Sequence, residues 1–378
     1  MEKKYEFEES DKIIHEGREL TRIRALRDIP MHNIKAGDLG GYIQHESNLS
    51  HDGAAWVGGN AKVYSNAWLG DNAQVYDSAE ISGNVDVYDN ALVSGTAKIS
   101  DSAKIIGSAQ VYGNAHIYQS ATISDNAKVF DHAEIYGKTE ISGNAQVYGE
   151  VSIGKQTSGH EYIAIKDDAQ VYDSAKLDGY GVIKDHAQVY GQSKLVGKDF
   201  SISGNAKIYE NAYIFGNPHI SSNAEVFGHA KIFDSNSMTG NTKLYGNAQL
   251  IGPLVEVSDN AEIYDNAVVA YLSKISGSAK IHDNARVEHS SVITGSAKVY
   301  GNASIKNSEI ADNAQVYGRA YVERMSIVKD NAIVKDDIHL ITTTVSNKTV
   351  LVKPRRTLLS ENFHTPMGSF HCWLYEAV

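Results

Sequence analysis

Small, branched and polar positions return along this chain with a period of six. In SAQVYGNAHIYQSATISDNAKVF (residues 108–130) alanine stands at 109, 115, 121 and 127, and a branched aliphatic follows two places later at 111, 117, 123 and 129. The aliphatic position runs in steps of six from Val57 to Ile153 without a miss. It resumes from Ile165 to Leu195 and, after one-residue slips, runs from Ile202 to Leu250, Val257 to Ile305 and Ile310 to Val334. Val85, Thr139 and Val151 are the exceptions at the alanine position before 153. Two inward positions flanking one outward position describe a very short strand. The other three residues are Gly, Asn, Asp, Ser or an aromatic, and Gly and Asn accept left-handed backbone angles at little cost, so these are corners. Three such units of strand and corner close a triangle. The triangles stack as parallel β-structure about 4.8 Å apart. Only a stack buries the aliphatics, with alanine near each tight corner and Val or Ile at the centre of each face. A helix is excluded, because six is not a multiple of about 3.6 and the units are rich in Gly, Asn and β-branched residues. The pattern predicts an all-β chain, a single-stranded, three-sided parallel β-helix of about 15 coils.

Positions three units apart lie one above another. This places Tyr76, Ser94, Tyr112, Phe130 and Tyr148 on one edge, with Gln74, Leu92, Gln110, Lys128 and Gln146 on the outward row beside it. The tetrad AQVY next occurs at 169–172 and 187–190, so Tyr172 follows Tyr148 after four units instead of three. A six-residue excursion within GKQTSGHEY (154–162) restores the edge, which continues through Tyr172, Tyr190, Tyr209, Phe227, Tyr245, Tyr264, His282, Tyr300 and Tyr317. The plain reading of stacked rings is packing that covers backbone. The functional reading is a flat contact surface about 60 Å long. Its rings, with Gln110, Gln146, Gln170 and Gln188 beside them, would take identical subunits, a glycan or another strand-rich protein. Ladders of Asn and Gln read as satisfied amides between coils.

A solenoid must cover its open ends or polymerise. Residues 1–50 hold one strand-like run, ELTRIRAL (19–26), and a GDLGG turn, and are expected to form a small β cap. Arg18, Arg22, Arg24 and Arg27 read as a solvated strand face or a basic spot. The helix proper is expected over 51–335. In 336–378, HLITTTV (339–345) and TVLVKP (349–354) flank SNK, a hairpin signal. The aromatic tail GSFHCWLYEAV is expected to fold over the last coil or dock on a partner.

Composition narrows the function classes. With 35 basic and 46 acidic residues the formal charge is −11, against a general phosphate-backbone binder. Cys372 is the only cysteine, so there is no disulfide framework or thiolate metal cluster. The start MEKKYEFEES has no apolar signal region and no run reaches a membrane span. A cytoplasmic protein without nucleic-acid or membrane partners is the expectation, with association with a virion left open. No P-loop, HExxH, GxSxG or paired-carboxylate motif occurs. The Asp pairs at corners repeat regularly, which speaks for turns and against a single metal site.

The repeat, written A-x-[VI]-[YS]-[GD]-[NS], resembles that of hexapeptide-repeat left-handed β-helix proteins. KAGDLGGYIQHESNLSHDGAAWV (35–57) is similar to the lead-in module of YdcK-like proteins and of related phage and prophage β-helix proteins. The resemblance covers roughly residues 20–335 and implies left-handed coiling, a bacterial or phage setting and often a trimer. It is nearly silent on activity, since transferase labels in the family follow fold analogy. Hexapeptide-repeat acyltransferases use a histidine general base in an inter-subunit cleft. Here His116, His132, His229 and His282 are dispersed, and His160 beside Glu161 is the weak catalytic candidate. Three readings follow. The first is a non-catalytic scaffold presenting the Tyr/Gln face, without a cofactor. The second is an acyltransferase using acetyl-CoA. The third is an acidic rod imitating DNA, which Lys62, Lys98, Lys104 and Lys128 disfavour.

Overall fold

The computed structural model describes residues 3–154 and 162–352, and they form a parallel β-solenoid. The chain divides into two compact units, residues 1–229 and 230–378. In the first unit most repeat strands are two residues long, such as Gln110–Val111 and His116–Ile117. Each pairs in parallel with the strand one turn on, Gln110 with Lys128 and His116 with Glu134. Alternation does the rest. Val111 and Ile117 point into the bore and are fully buried, as are Ala109, Ala115, Ala121 and Ala127. Thr139 fills an alanine position and donates its hydroxyl to the Tyr136 carbonyl at 2.7 Å, which satisfies it inside the tube.

The corners explain the Asp, Asn and Gly content. Asp77 (φ +60°) and Gly113 (φ +70°) take the left-handed bend. The Asp77 carboxylate accepts a hydrogen bond from the Gly95 amide one turn on at 2.9 Å, and Asp125 accepts one from Gly143 at the same distance. Asn side chains link successive turns, as from Asn72 to Asn90 at 3.1 Å and from Asn126 to Asn144 at 3.2 Å. Corner residues thus pair with their successors rather than with solvent alone.

The cap at the start holds more strand than the single run expected. Two antiparallel strands, β1 (Tyr5–His15) and β2 (Arg18–Ala25), precede β3 (Leu39–Ile43). The GDLGG segment is therefore not only a turn. β3 pairs antiparallel with β2 on one side, and its Tyr42 and Ile43 pair in parallel with Lys62 and Val63 on the other. A Cβ at Gly41 would lie 2.6 Å from the Ala61 carbonyl oxygen, which is why glycine is needed at this junction. The arginines are structural. Arg22 binds Asp11 at 2.6 Å and the Tyr42 hydroxyl at 2.6 Å, Arg24 binds Glu8, and Arg27 reaches the His51 carbonyl at 3.3 Å.

In the second unit the solenoid continues past residue 335, and the expected hairpin is not formed. His339–Ile341 pairs in parallel with Tyr321–Glu323, Thr344–Val345 with Ile327–Val328, and Val350–Leu351 with Ile333–Val334. Leu340 and Val345 keep the inward positions, so these residues build another turn. Together the two units hold about 17 turns rather than about 15. The tail GSFHCWLYEAV lies outside the described residues, as does most of the 154–162 excursion. The pairings flanking that excursion, Gln146 with Gln170 and Ser152 with Lys176, each span four units where an ordinary turn spans three. No described helix is long and apolar enough to cross a membrane.

Candidate binding face

One aromatic residue per turn at one corner produces a stack of rings in each unit. In the first unit it runs Tyr112, Phe130, Tyr148, Tyr172, Tyr190, Tyr209, Phe227, with centroids 4.7–5.0 Å apart and ring planes within 5°. The strand spacing of about 4.8 Å sets this distance, which lies within the attractive range for offset rings. In the second unit it runs Tyr245, Tyr264, His282, Tyr300, Tyr317 at 4.6–5.0 Å. The rings are half-buried, with one edge left to solvent. Burial pushes the phenols of Tyr172, Tyr209 and Tyr245 up to about 12, so they stay neutral. Tyr76 stands apart from the stack, since Ser94 occupies the next turn. Its ring lies over Gly58, where a Cβ would come within 2.4 Å of it.

Beside the stack in the first unit runs the row Gln74, Leu92, Gln110, Lys128, Gln146, Gln170, Gln188, in register by strand pairing. The side-chain amides of Gln110, Gln146, Gln170 and Gln188 have no hydrogen-bond partner within the described residues. The other two faces differ. Lys62 and Lys98 bracket Glu80 at 3.2 and 3.7 Å on one, and Lys104 meets Asp86 at 3.4 Å on the other. One of those faces also stacks Lys176 on Lys194, while the Tyr/Gln row carries a single charge, Lys128, between Gln74 and Gln188 before Lys207 and Glu225 continue it.

A second feature of the first unit is not visible in the repeat pattern. The strands Lys176–Ile183 and Lys194–Ile202 run straight through a corner and pair with each other, replacing the usual bend. Gly179 (φ +115°) permits this, since a Cβ there would sit 1.8 Å from the Gly197 carbonyl oxygen. Phe200 is buried beneath Gly181 and fills the corner. Outside lies a groove of about 510 Å³ lined by Asp178, Val196, Lys198, Phe215 and Asn217 together with the glycines. The signal in the sequence is the pair of glycines two apart in LDGYGVI, where most other units carry a single left-handed corner residue such as Asp77 or Gly113.

The remaining candidates do not converge. His116 is exposed on a face, and His132 and His229 lie at separate corners. His160 and Glu161 lie outside the described residues. In the second unit, bulky residues occupy left-handed corner positions at Leu254, Tyr271, Leu272 and Met325, with φ between +46° and +62°. All four side chains are exposed, Met325 at 72 %.

Comparison with known families gives two matches. Residues 109–125 match the YdcK beta solenoid repeat, and residues 250–357 match the GMPPB C-terminal domain. No curated protein matches the chain.

Proposed function

We propose that this chain, whose residues 109–125 match the YdcK beta solenoid repeat, is a non-catalytic binding scaffold whose Tyr/Gln face receives a second copy or an extended strand-rich or glycan ligand. The observation that carries this reading is the contrast between faces. Two faces carry ion pairs between turns, and between Gln74 and Gln188 the third offers ring edges and the amides of Gln110, Gln146, Gln170 and Gln188, interrupted by one charge at Lys128. A flat neutral surface of this kind suits a partner that is itself periodic. Self-association as a trimer is the simplest form, and a bacterial or phage setting follows from the family resemblance. Sedimentation of the wild type and of a Gln146→Lys, Gln170→Lys variant tests it. An oligomer that the lysines dissolve supports self-association. A monomeric wild type removes it and leaves the ligand form, to be tested on a glycan array.

The groove beside Gly179 and Gly197 favours one second reading, an acyltransferase-like site for acetyl-coenzyme A. Its volume suits a small-molecule cleft. Calorimetry with acetyl-coenzyme A decides it, and absence of heat at about millimolar ligand ends it.

A further inference from the structure

His282 is the one residue in the second unit's ring stack that is neither tyrosine nor phenylalanine. Its imidazole lies between Tyr264 (4.8 Å, 8°) and Tyr300 (5.0 Å, 6°), so the ring plane is held on both sides. Its Nδ1 faces Asp283 Oδ1 at 3.4 Å. Asp265 stands one turn before Asp283, and both take the left-handed corner conformation at φ +57°. Each carboxylate is oriented by a backbone amide. Asp283 Oδ2 accepts from Gly301 at 2.9 Å and Asp265 Oδ2 accepts from Asp283 at 3.3 Å, and the second oxygen of each is left outside these bonds.

This arrangement departs from the rest of the edge. Elsewhere an acidic corner residue is followed one turn on by glycine, as with Asp77 and Gly95, Asp131 and Gly149, and Asp173 and Gly191. Here two carboxylates meet, and like charges on adjacent strands are unfavourable. Stacked aspartates do occur at another edge, as with Asp71 and Asp89, but the residues preceding them are Gly70 and Tyr88. Only at 265–283 do two carboxylates and an imidazole bring one ligand atom each to within 4.8 Å of one another among the described residues. The nearby Lys280 is engaged by Glu262 at 3.0 Å.

We propose that Asp265, His282 and Asp283 bind a divalent transition-metal ion, with zinc as the representative. The 3.4 Å separation of Nδ1 and Oδ1 is the edge length of a tetrahedron around an ion with bonds of about 2.0–2.1 Å. One imidazole and two carboxylates are borderline-to-hard donors, which suits zinc, cobalt(II) or nickel(II) better than copper(I). A dication cancels the carboxylate repulsion and ties two turns together. Water completes the coordination. Regular corner aspartates speak against a metal site, and His282 marks the place where that regularity ends.

The test is titration of the full chain with zinc chloride alone, followed by calorimetry, and with cobalt chloride, followed by visible absorption. His282→Tyr restores the ordinary ring of the stack, and Asp283→Gly restores the ordinary corner, so neither disturbs the fold. One ion per chain should bind to the wild type and raise its melting temperature. Each variant should lose at least about tenfold in affinity and most of the metal-induced rise in melting temperature. If His282→Tyr fails to fold, Asp283→Gly decides alone. No binding at about millimolar zinc, or binding that both variants retain, overturns the proposal.

Discussion

Tyr148 and Tyr172 stand four repeat units apart in the chain, yet their rings stack at 5.0 Å and 3°, as closely as rings one ordinary turn apart. The register on both sides of residues 155–161 is thus offset by one six-residue unit. Deleting residues 155–160 should leave the stack in phase and shift the melting temperature by no more than about 4 °C. Deleting residues 149–154 instead removes the paired strand Ser152–Ile153 and should unfold the neighbouring turns. Circular dichroism melts of both deletions check this.

Each ladder ring holds two neighbours. Tyr190 stacks at 4.7 Å on Tyr172 and at 5.0 Å on Tyr209. Tyr190→Ala should cost about 1–3 kcal/mol, two ring contacts at about 0.5–1.5 kcal/mol each. Tyr190→Phe should be nearly neutral, since Phe130 and Phe227 already serve in the stack. Denaturant midpoints distinguish the two, and equal losses would place the contribution in the hydroxyl instead.

The same stack predicts an alkaline limit. Burial raises the phenols of Tyr172, Tyr209 and Tyr245 to about 12, above the ordinary value of 10.0. Between those values the folded chain holds protons that the unfolded chain has lost, so stability falls as pH rises through that interval. Below pH 10 the contribution is intact. Absorbance titration in the near ultraviolet should show a late-ionising class of tyrosines that vanishes in denaturant.

Met325 is 72 % exposed at φ +61°, a conformation that suits glycine. Met325→Gly should stabilise the second unit by about 1 kcal/mol. Leu272→Gly, at φ +62°, should act in the same direction. Destabilisation in a thermal melt would mean that these side chains pack where the structure leaves them exposed.

The inward positions are readable from the sequence because a bore this narrow admits one choice of size at each place. Val111, Ile117 and the alanines between them are all buried. The ring edge is readable too, once three units make a turn and the step from Tyr148 to Tyr172 is its exception. β1 escapes such a reading because its run YEFEESDKIIH alternates poorly, with a bulge between Glu8 and Lys12. The hairpin expected around SNK fails because Asn347 at φ +61° serves equally as a solenoid corner. Turn chemistry alone cannot say whether the chain reverses or continues around. The groove is hidden because its strands cross a corner through backbone angles that Gly179 and Gly181 supply, and no side-chain pattern records them. The His282 cluster needs the vertical register before Asp265 can be set beside it.

The crowded corners of the second unit carry a final consequence. Leu254, Tyr271, Leu272 and Met325 neither plug the bore nor cap a turn, and each sits in a backbone shape that disfavours it. A chain selected for folding alone would shed such side chains, since glycine or aspartate serves most comparable bends in the molecule. These exposed apolar side chains are where an encounter with another molecule should first be sought.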